Sequence, residues 1–315
     1  MCAQRRQLRT NSKMHIQMAQ IKLTNQRIGV SGLGVMGTAI AMRLLQSGHT
    51  VAVTSRRPSA ASALLEAGAQ WAESPASIAA DCDIVIVSAN NASQVESIAF
   101  GENGLAAAGR RGMLIIDMST IAPDQTVAFA ARAAELGIGW VDAPLSGGEP
   151  AAREGRLTLF LGGETAHVEQ AEGVLSSISN RMTHLGPAGS GQTVKIINQV
   201  LVGIGLFALS ESASLAGAAN LDPQRVVEAL TGGRADSVIF REFFAKFANR
   251  DYTPTGRIAN MLKDMQNAQD LGRSVGLPLP FTSLAADLNR WLVSRGLGDA
   301  DIAATMEFYR RSEGN

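Results

Sequence analysis

Residues 29–41 read "GVSGLGVMGTAIA", with a short β-branched run before them and an Ala-rich amphipathic segment after. The three glycines Gly32, Gly34 and Gly37 have GxGxxG spacing. After a strand, the first glycine of this spacing makes a tight turn, the second lets a pyrophosphate approach the backbone, and the third packs helix on strand. The phosphates then meet the free N–H groups of the helix start. A chain with 32 glycines can meet the spacing by accident. Here the strand-like "RIGVS" precedes it, a helical pattern follows, and a second strand, "TVAVTS", comes roughly 20 residues on, as a dinucleotide-binding βαβ unit requires. The predicted cofactor contacts are therefore Gly32, Leu33, Gly34, Val35, Met36 and Gly37.

The end of the second strand indicates which dinucleotide. An NAD site places Asp or Glu there for the ribose 2′-OH, whereas this chain reads Ser55-Arg56-Arg57. Two guanidinium groups suit the 2′-phosphate of NADP through charge-assisted hydrogen bonds. The expected cofactor is NADP, with NAD as second choice.

From Arg27 onward β-branched runs alternate with helical patterns: "RIGVSG", "TVAVTS", "DIVIVS", "GMLIIDMS" and "IGWVDA" are strand candidates, and "GRLTLFLGG" and "RMTHLG" extend the series around a helix near Thr165 to Ser177. Such alternation predicts an α/β doubly wound sheet of Rossmann type, covered on both faces. After Gly191 the character changes to one long apolar helix, expected over Gln192–Asn220 and buried on most sides, with Asp222 and Pro223 starting the next helix. Everything beyond is helical. The expected division is a tail over 1–26, an NADP-binding domain over 27–190 and an all-α domain over 191–315 for substrate binding and oligomerisation. A helix this apolar wants more cover than the remaining chain offers, which predicts a homodimer or homotetramer built through the helical domain.

Composition narrows the partners. The 28 basic and 28 acidic residues balance, so no global field draws the protein to nucleic acid or an anionic membrane. The apolar run Val200–Leu209 is short against the about 20 residues that span a bilayer. Two cysteines, Cys2 and Cys82, form neither a disulfide framework nor zinc-ligand spacing, so no metal is expected and a reducing, cytoplasmic setting fits. The first 26 residues hold five Lys or Arg, no acid and no signal-peptide core. A solvated tail, or a start at Met14 or Met18, is the preferred reading over a mitochondrial leader.

Further motifs follow in order. "DAPLSGGEPAAREG" sets Ser146, Gly147 and Gly148 in a turn after a strand, where successive N–H groups form a concavity for a carboxylate. "GSGQTVKIINQ" puts Lys195 one turn into the long helix with Asn198 on the same face. "NMLKDMQNAQDLG" carries Lys263 and Asp264. Together GLGVMG, DMST, DAPLSGG, GSGQTVKIINQ and the KD pair resemble the β-hydroxyacid dehydrogenase family, which includes 3-hydroxyisobutyrate dehydrogenase and tartronate semialdehyde reductase; the likeness runs from residue 28 to about 310.

The resemblance implies hydride exchange between nicotinamide and the β-carbon of a short hydroxy acid or its semialdehyde. It assigns Lys195 as the catalytic lysine, Asn198 as the residue orienting lysine and substrate, Ser146 to Gly148 as the substrate-carboxylate loop, Thr120 of DMST as a group beside the nicotinamide, and Lys263 as reaching both substrate and cofactor. The residues agree: none of the four histidines lies in a motif, so a lysine is the evident general base. To work near neutral pH, its pKa must fall from about 10.4 through burial or a nearby cation such as Lys263.

This chain departs from the family in reading Gln199 where Asn is frequent, Pro254-Thr255-Gly256 where PGF is frequent, and Ala89-Asn90 for Leu-Pro. A roomier or more polar pocket than that for 3-hydroxyisobutyrate is expected. An imine or keto reductase on the same fold is the alternative, against which Lys195 argues. A non-catalytic dinucleotide sensor is the other, and would need only the first half of the motifs.

Overall fold

The computed structural model describes residues 26–310, so the expected tail, apart from Gln26, lies outside the described residues. The strands are β1 (Ile28–Ser31), β2 (Val51–Thr54), β3 (Gln70–Trp71), β4 (Ile84–Val87), β5 (Leu114–Asp117), β6 (Gly139–Asp142), β7 (Leu145–Ser146), β8 (Leu157–Gly163) and β9 (Ser179–His184). They form one sheet in the order β3-β2-β1-β4-β5-β6-β8-β7, with β9 beside β8. The first six are parallel, β8 runs antiparallel to β6, and β9 is parallel to β8. This 3-2-1-4-5-6 order is the doubly wound Rossmann arrangement. The two-residue strands β3 and β7 escaped sequence reading because neither is long enough to show a period.

The "IVIV" of β4 explains why these strands read as continuous apolar runs. Ile84 and Ile86 enter one core with Ile28, Val30, Leu114, Ile116 and the Val35–Gln46 helix, through Ile40 and Leu44. Val85 and Val87 enter the other with Ile115, Trp140 and the helices Pro75–Asp81 and Ala92–Phe100, through Ile78 and Val95. Alternate side chains thus bury on opposite faces. The helix after β1 covers one face and the helix after β4 the other. The chain switches direction between these neighbouring strands, which opens a crevice at their carboxyl ends.

Contacts divide the chain into two compact units, one ending at Lys195 and one starting at Ile196. The second holds most of the long helix Ser190–Ala218 and the helices Pro223–Leu230, Val238–Ala248, Ile258–Ser274 and Pro280–Ser294. Its core joins Leu206, Phe207, Phe240, Phe244, Phe247, Met261 and Met265. The long helix starts and stops two residues earlier than expected. Its end is a Schellman motif: Asn220 turns left-handed (φ 54), Leu221 N–H bonds the Ala216 carbonyl and Asn220 N–H bonds that of Gly217.

The expectation that this helix is buried on most sides fails within one chain. Ile197, Leu201 and Leu215 are 53%, 70% and 72% exposed and share a stripe, because 18 residues complete five turns. The full helix, unlike its central run, is long and apolar enough to cross a membrane by length and composition alone. A core helix has the same composition, and here the first turns of the helix bond into the sheet domain.

Candidate active site

The glycine loop leaves the carboxyl end of β1 beside that of β4. Gly32 has φ +99, and a Cβ there would collide with the Ser88 carbonyl oxygen at the end of β4. A Cβ on Gly37 would collide with the Gly32 carbonyl oxygen. Both positions are closed by the fold itself. Gly34 differs: its backbone (φ −80, ψ −171) suits any residue, and a Cβ there would meet nothing within 4 Å. Space has been left over the start of the Val35–Gln46 helix, which has no side-chain cap and no acid in its first turn. A bare helix N-terminus with room for a close approach fits a pyrophosphate. The Leu33 side chain is buried in the core, which leaves its backbone as the part that can face a ligand.

β2 runs in register with β1, Ser31 beside Thr54, and Gly32 N–H bonds the Thr54 carbonyl. Ser55, Arg56 and Arg57 therefore leave the sheet next to the glycine loop. Ser55 Oγ accepts the Arg57 N–H at 3.3 Å, and both arginines are exposed. Among the described residues neither pairs with a carboxylate.

At the ends of β5 and β6 a buried polar joint fixes the long helix to the sheet. Asp142, the last residue of β6, accepts N–H bonds from Gly189 (2.8 Å) and Gln192 (2.9 Å) and so caps the helix start. Burial raises its carboxyl pKa despite the Gly189, Gln192 and Gly191 N–H groups that oppose the rise. Gly191 allows this closeness: a Cβ there would strike the Phe160 carbonyl oxygen and lie 2.7 Å from Asp142 Oδ2. Gln192 reaches the loop after β5, donating to the Ser119 carbonyl at 2.8 Å and accepting from Ile121 N–H at 3.3 Å. Thr120 lies between those two bonds, and Ser119 Oγ accepts the Ala89 N–H at 2.9 Å. Lys195, half-buried, follows Gln192 by one turn. Sequence reading passed over Asp142 and Gln192. Both stand inside the motifs it used, but their roles depend on which strand ends meet.

Ser146 ends β7, and Gly147 and Gly148 follow with φ +119 and +66, turning the exposed backbone into the Gly148–Glu154 helix. Two successive left-handed residues account for both glycines.

In the second unit, Asn198 Nδ2 donates to Gln199 Oε1 at 2.9 Å, and Gln199 Nε2 donates to Asp264 Oδ2 at 2.5 Å. Lys263 Nζ lies 3.3 Å from Asp264 Oδ1. Predicted residues Asn198 and Lys263 are thus joined through Gln199 and the buried Asp264. Asn198 also follows Lys195 on one face of the same helix. Thr255, in the Pro254-Thr255-Gly256 departure, bonds Asp301 through both its hydroxyl and its N–H, at 2.7 and 2.6 Å.

A doubly wound sheet with a glycine loop at its switch point is the arrangement of a dinucleotide-binding domain. Residues 27–186 match the NAD binding domain of 6-phosphogluconate dehydrogenase, and 189–309 match the NAD-binding region of NADP-dependent 3-hydroxyisobutyrate dehydrogenase. The chain is 36% identical over 281 residues to 2-hydroxy-3-oxopropionate reductase of Escherichia coli (strain K12), covering 89% of this chain and 96% of that one. It is 34% identical over 286 residues to L-threonate dehydrogenase of Cupriavidus necator, covering 90% and 96%. The crystal structure of 3-hydroxyisobutyrate dehydrogenase from Salmonella typhimurium superposes with a TM-score of 0.83 at 28% identity, over 90% of this chain and all of that one. The chain belongs to the β-hydroxyacid dehydrogenase family, whose members here are NAD(P)-dependent hydroxyacid dehydrogenases.

Proposed function

We propose that the protein interconverts a short, hydroxylated 3-hydroxy acid and its semialdehyde, with NADP(H) preferred and Lys195 as general acid and base. A nicotinamide held at the carboxyl ends of the strands would supply hydride chemistry to the substrate carbon, in either direction. The protein manages the proton: Lys195 Nζ gives one to the carbonyl oxygen as it becomes a hydroxyl, and recovers it in reverse. Asn198, steadied by Gln199, holds the substrate oxygen toward that lysine. The backbone of Ser146 to Gly148 receives the substrate carboxylate, and Lys263 adds positive charge for substrate and cofactor. Val35, Met36 and the glycines would hold the pyrophosphate, and Ser55, Arg56 and Arg57 would hold the adenosine 2′-phosphate.

The observation that carries this reading is Lys195 itself, one turn into a helix whose start is bonded to the carboxyl ends of β5 and β6. The names of the two sequence relatives support a hydroxylated substrate, and the match to an NADP-dependent family region supports the cofactor. The experiment is NADPH oxidation with 2-hydroxy-3-oxopropionate by wild type and Lys195→Ala. Loss of about 10²- to 10⁴-fold in kcat with NADPH binding kept is expected; an active variant would overturn the lysine's role. We also infer a homo-oligomer covering the Ile197, Leu201 and Leu215 stripe, for which a light-scattering mass at a multiple of 33.1 kDa is the check.

A further inference from the structure

Gln192 is fully buried, and its carboxamide is satisfied at both ends by main-chain groups on either side of Thr120: the Ser119 carbonyl and the Ile121 N–H. A side-chain amide bonded twice to one stretch of backbone copies the two-bond exchange of paired strands, so the loop cannot rotate about Thr120 without breaking a bond. The Gln192 backbone N–H is at the same time held by Asp142, and Lys195 follows one turn later. Packing alone does not require this chemistry, since methionine has similar length and volume and avoids the cost of burying an amide.

We propose that Gln192 is a positioning residue that keeps the loop carrying Thr120 and the acid/base Lys195 in one register, so that the two stay matched. The inference rests on the reading of Lys195 as the acid/base. A displacement of about 1 Å at such a group costs roughly 100-fold in rate.

Gln192→Met removes both bonds and keeps the volume. Three measurements test it beside Lys195→Ala: hydrogen exchange of the Ile121 amide, NADPH affinity, and kcat with 2-hydroxy-3-oxopropionate counted per NADPH-binding site, which excludes unfolded molecules. The expected result is fast exchange at Ile121, NADPH affinity within about threefold, and kcat per site lowered by roughly 100-fold with a much smaller change in KM. A purely structural role would lower the number of sites and leave kcat per site intact. That result, with Lys195→Ala inactive, overturns the inference and leaves the lysine reading standing. An active Lys195→Ala overturns the lysine reading and this inference with it. If the wild type does not turn over this probe, the Ile121 exchange decides, and protection retained in Gln192→Met overturns the inference. Should Gln192→Met fail to fold, Gln192→Glu keeps the acceptor for Ile121, sets a carboxylate oxygen against the Ser119 carbonyl, and is expected to lose kcat per site as well.

Discussion

Gln199 Nε2 donates to Asp264 Oδ2 at 2.5 Å, linking the long helix to the Ile258–Ser274 helix, while the Gln199 carbonyl oxygen accepts from Asn198. The amide therefore carries the fixed position of a buried carboxylate to Asn198. Gln199→Ala is expected to raise the substrate KM by about tenfold, the loss of roughly one hydrogen bond's worth of orientation, with NADPH affinity unchanged. Initial rates across substrate concentrations check this, and an unchanged KM would remove Gln199 from the site.

The glycine loop offers a paired test. Gly34→Ala meets no atom within 4 Å and needs no unusual backbone, so its melting temperature should match wild type. If the pyrophosphate binds over this helix start as proposed, its methyl group would meet it, and NADPH affinity should fall at least about tenfold, near 1.4 kcal/mol. Gly37→Ala collides with the Gly32 carbonyl and should lose stability first. Calorimetric titration and thermal melts separate the two. Equal affinity for Gly34→Ala and wild type would move the pyrophosphate elsewhere.

Cofactor choice is expected to rest on the guanidinium groups after β2. A charge-assisted hydrogen bond contributes about 1.5–3 kcal/mol, so replacing Arg56 and Arg57 together by alanine should cost NADPH tenfold or more in kcat/KM. NADH should change little, because it lacks the phosphate. A parallel loss with both cofactors would show that the arginines do not read the 2′-phosphate.

Asp301 anchors the loop ahead of the KD helix. It accepts from the N–H groups of Thr255, Gly256 and Ala303 and from the Thr255 hydroxyl, with Lys246 Nζ at 3.5 Å. Burial opposes its ionisation, yet the bonds from Ala303, Thr255 and Gly256 outweigh it and hold the carboxyl below its ordinary value of 3.8. Because the folded value is depressed, this stabilisation is complete above about pH 4 and fades as pH falls through the lowered value. Asp301→Ala should cost about 3 kcal/mol at pH 7, leaving several buried donors unpaired. Urea unfolding of both proteins as a function of pH should find the gap narrowing in acid; a constant gap would assign the cost to packing.

The sequence by itself determined the sheet domain, because its signals are local. The alternation of β-branched runs with Ala-rich helices, the spacing of Gly32, Gly34 and Gly37, the Ser55-Arg56-Arg57 end of β2, and the spacing of Lys195 and Asn198 along one helix each lie within a few residues. Tertiary structure decided what depends on separated segments meeting. It revealed that Gly32 is closed by packing whereas Gly34 stands open, since only the return of β4 brings Ser88 beside the loop. It made Asp142 and Gln192 into a joint by laying the ends of β5 and β6 against the long helix, and joined Gln199 to Asp264 across 65 residues. Backbone propensities and turn chemistry act between near neighbours and can be read in order. A buried hydrogen bond between distant segments has no such trace, because its partners are chosen by the packing that makes leaving them unpaired costly.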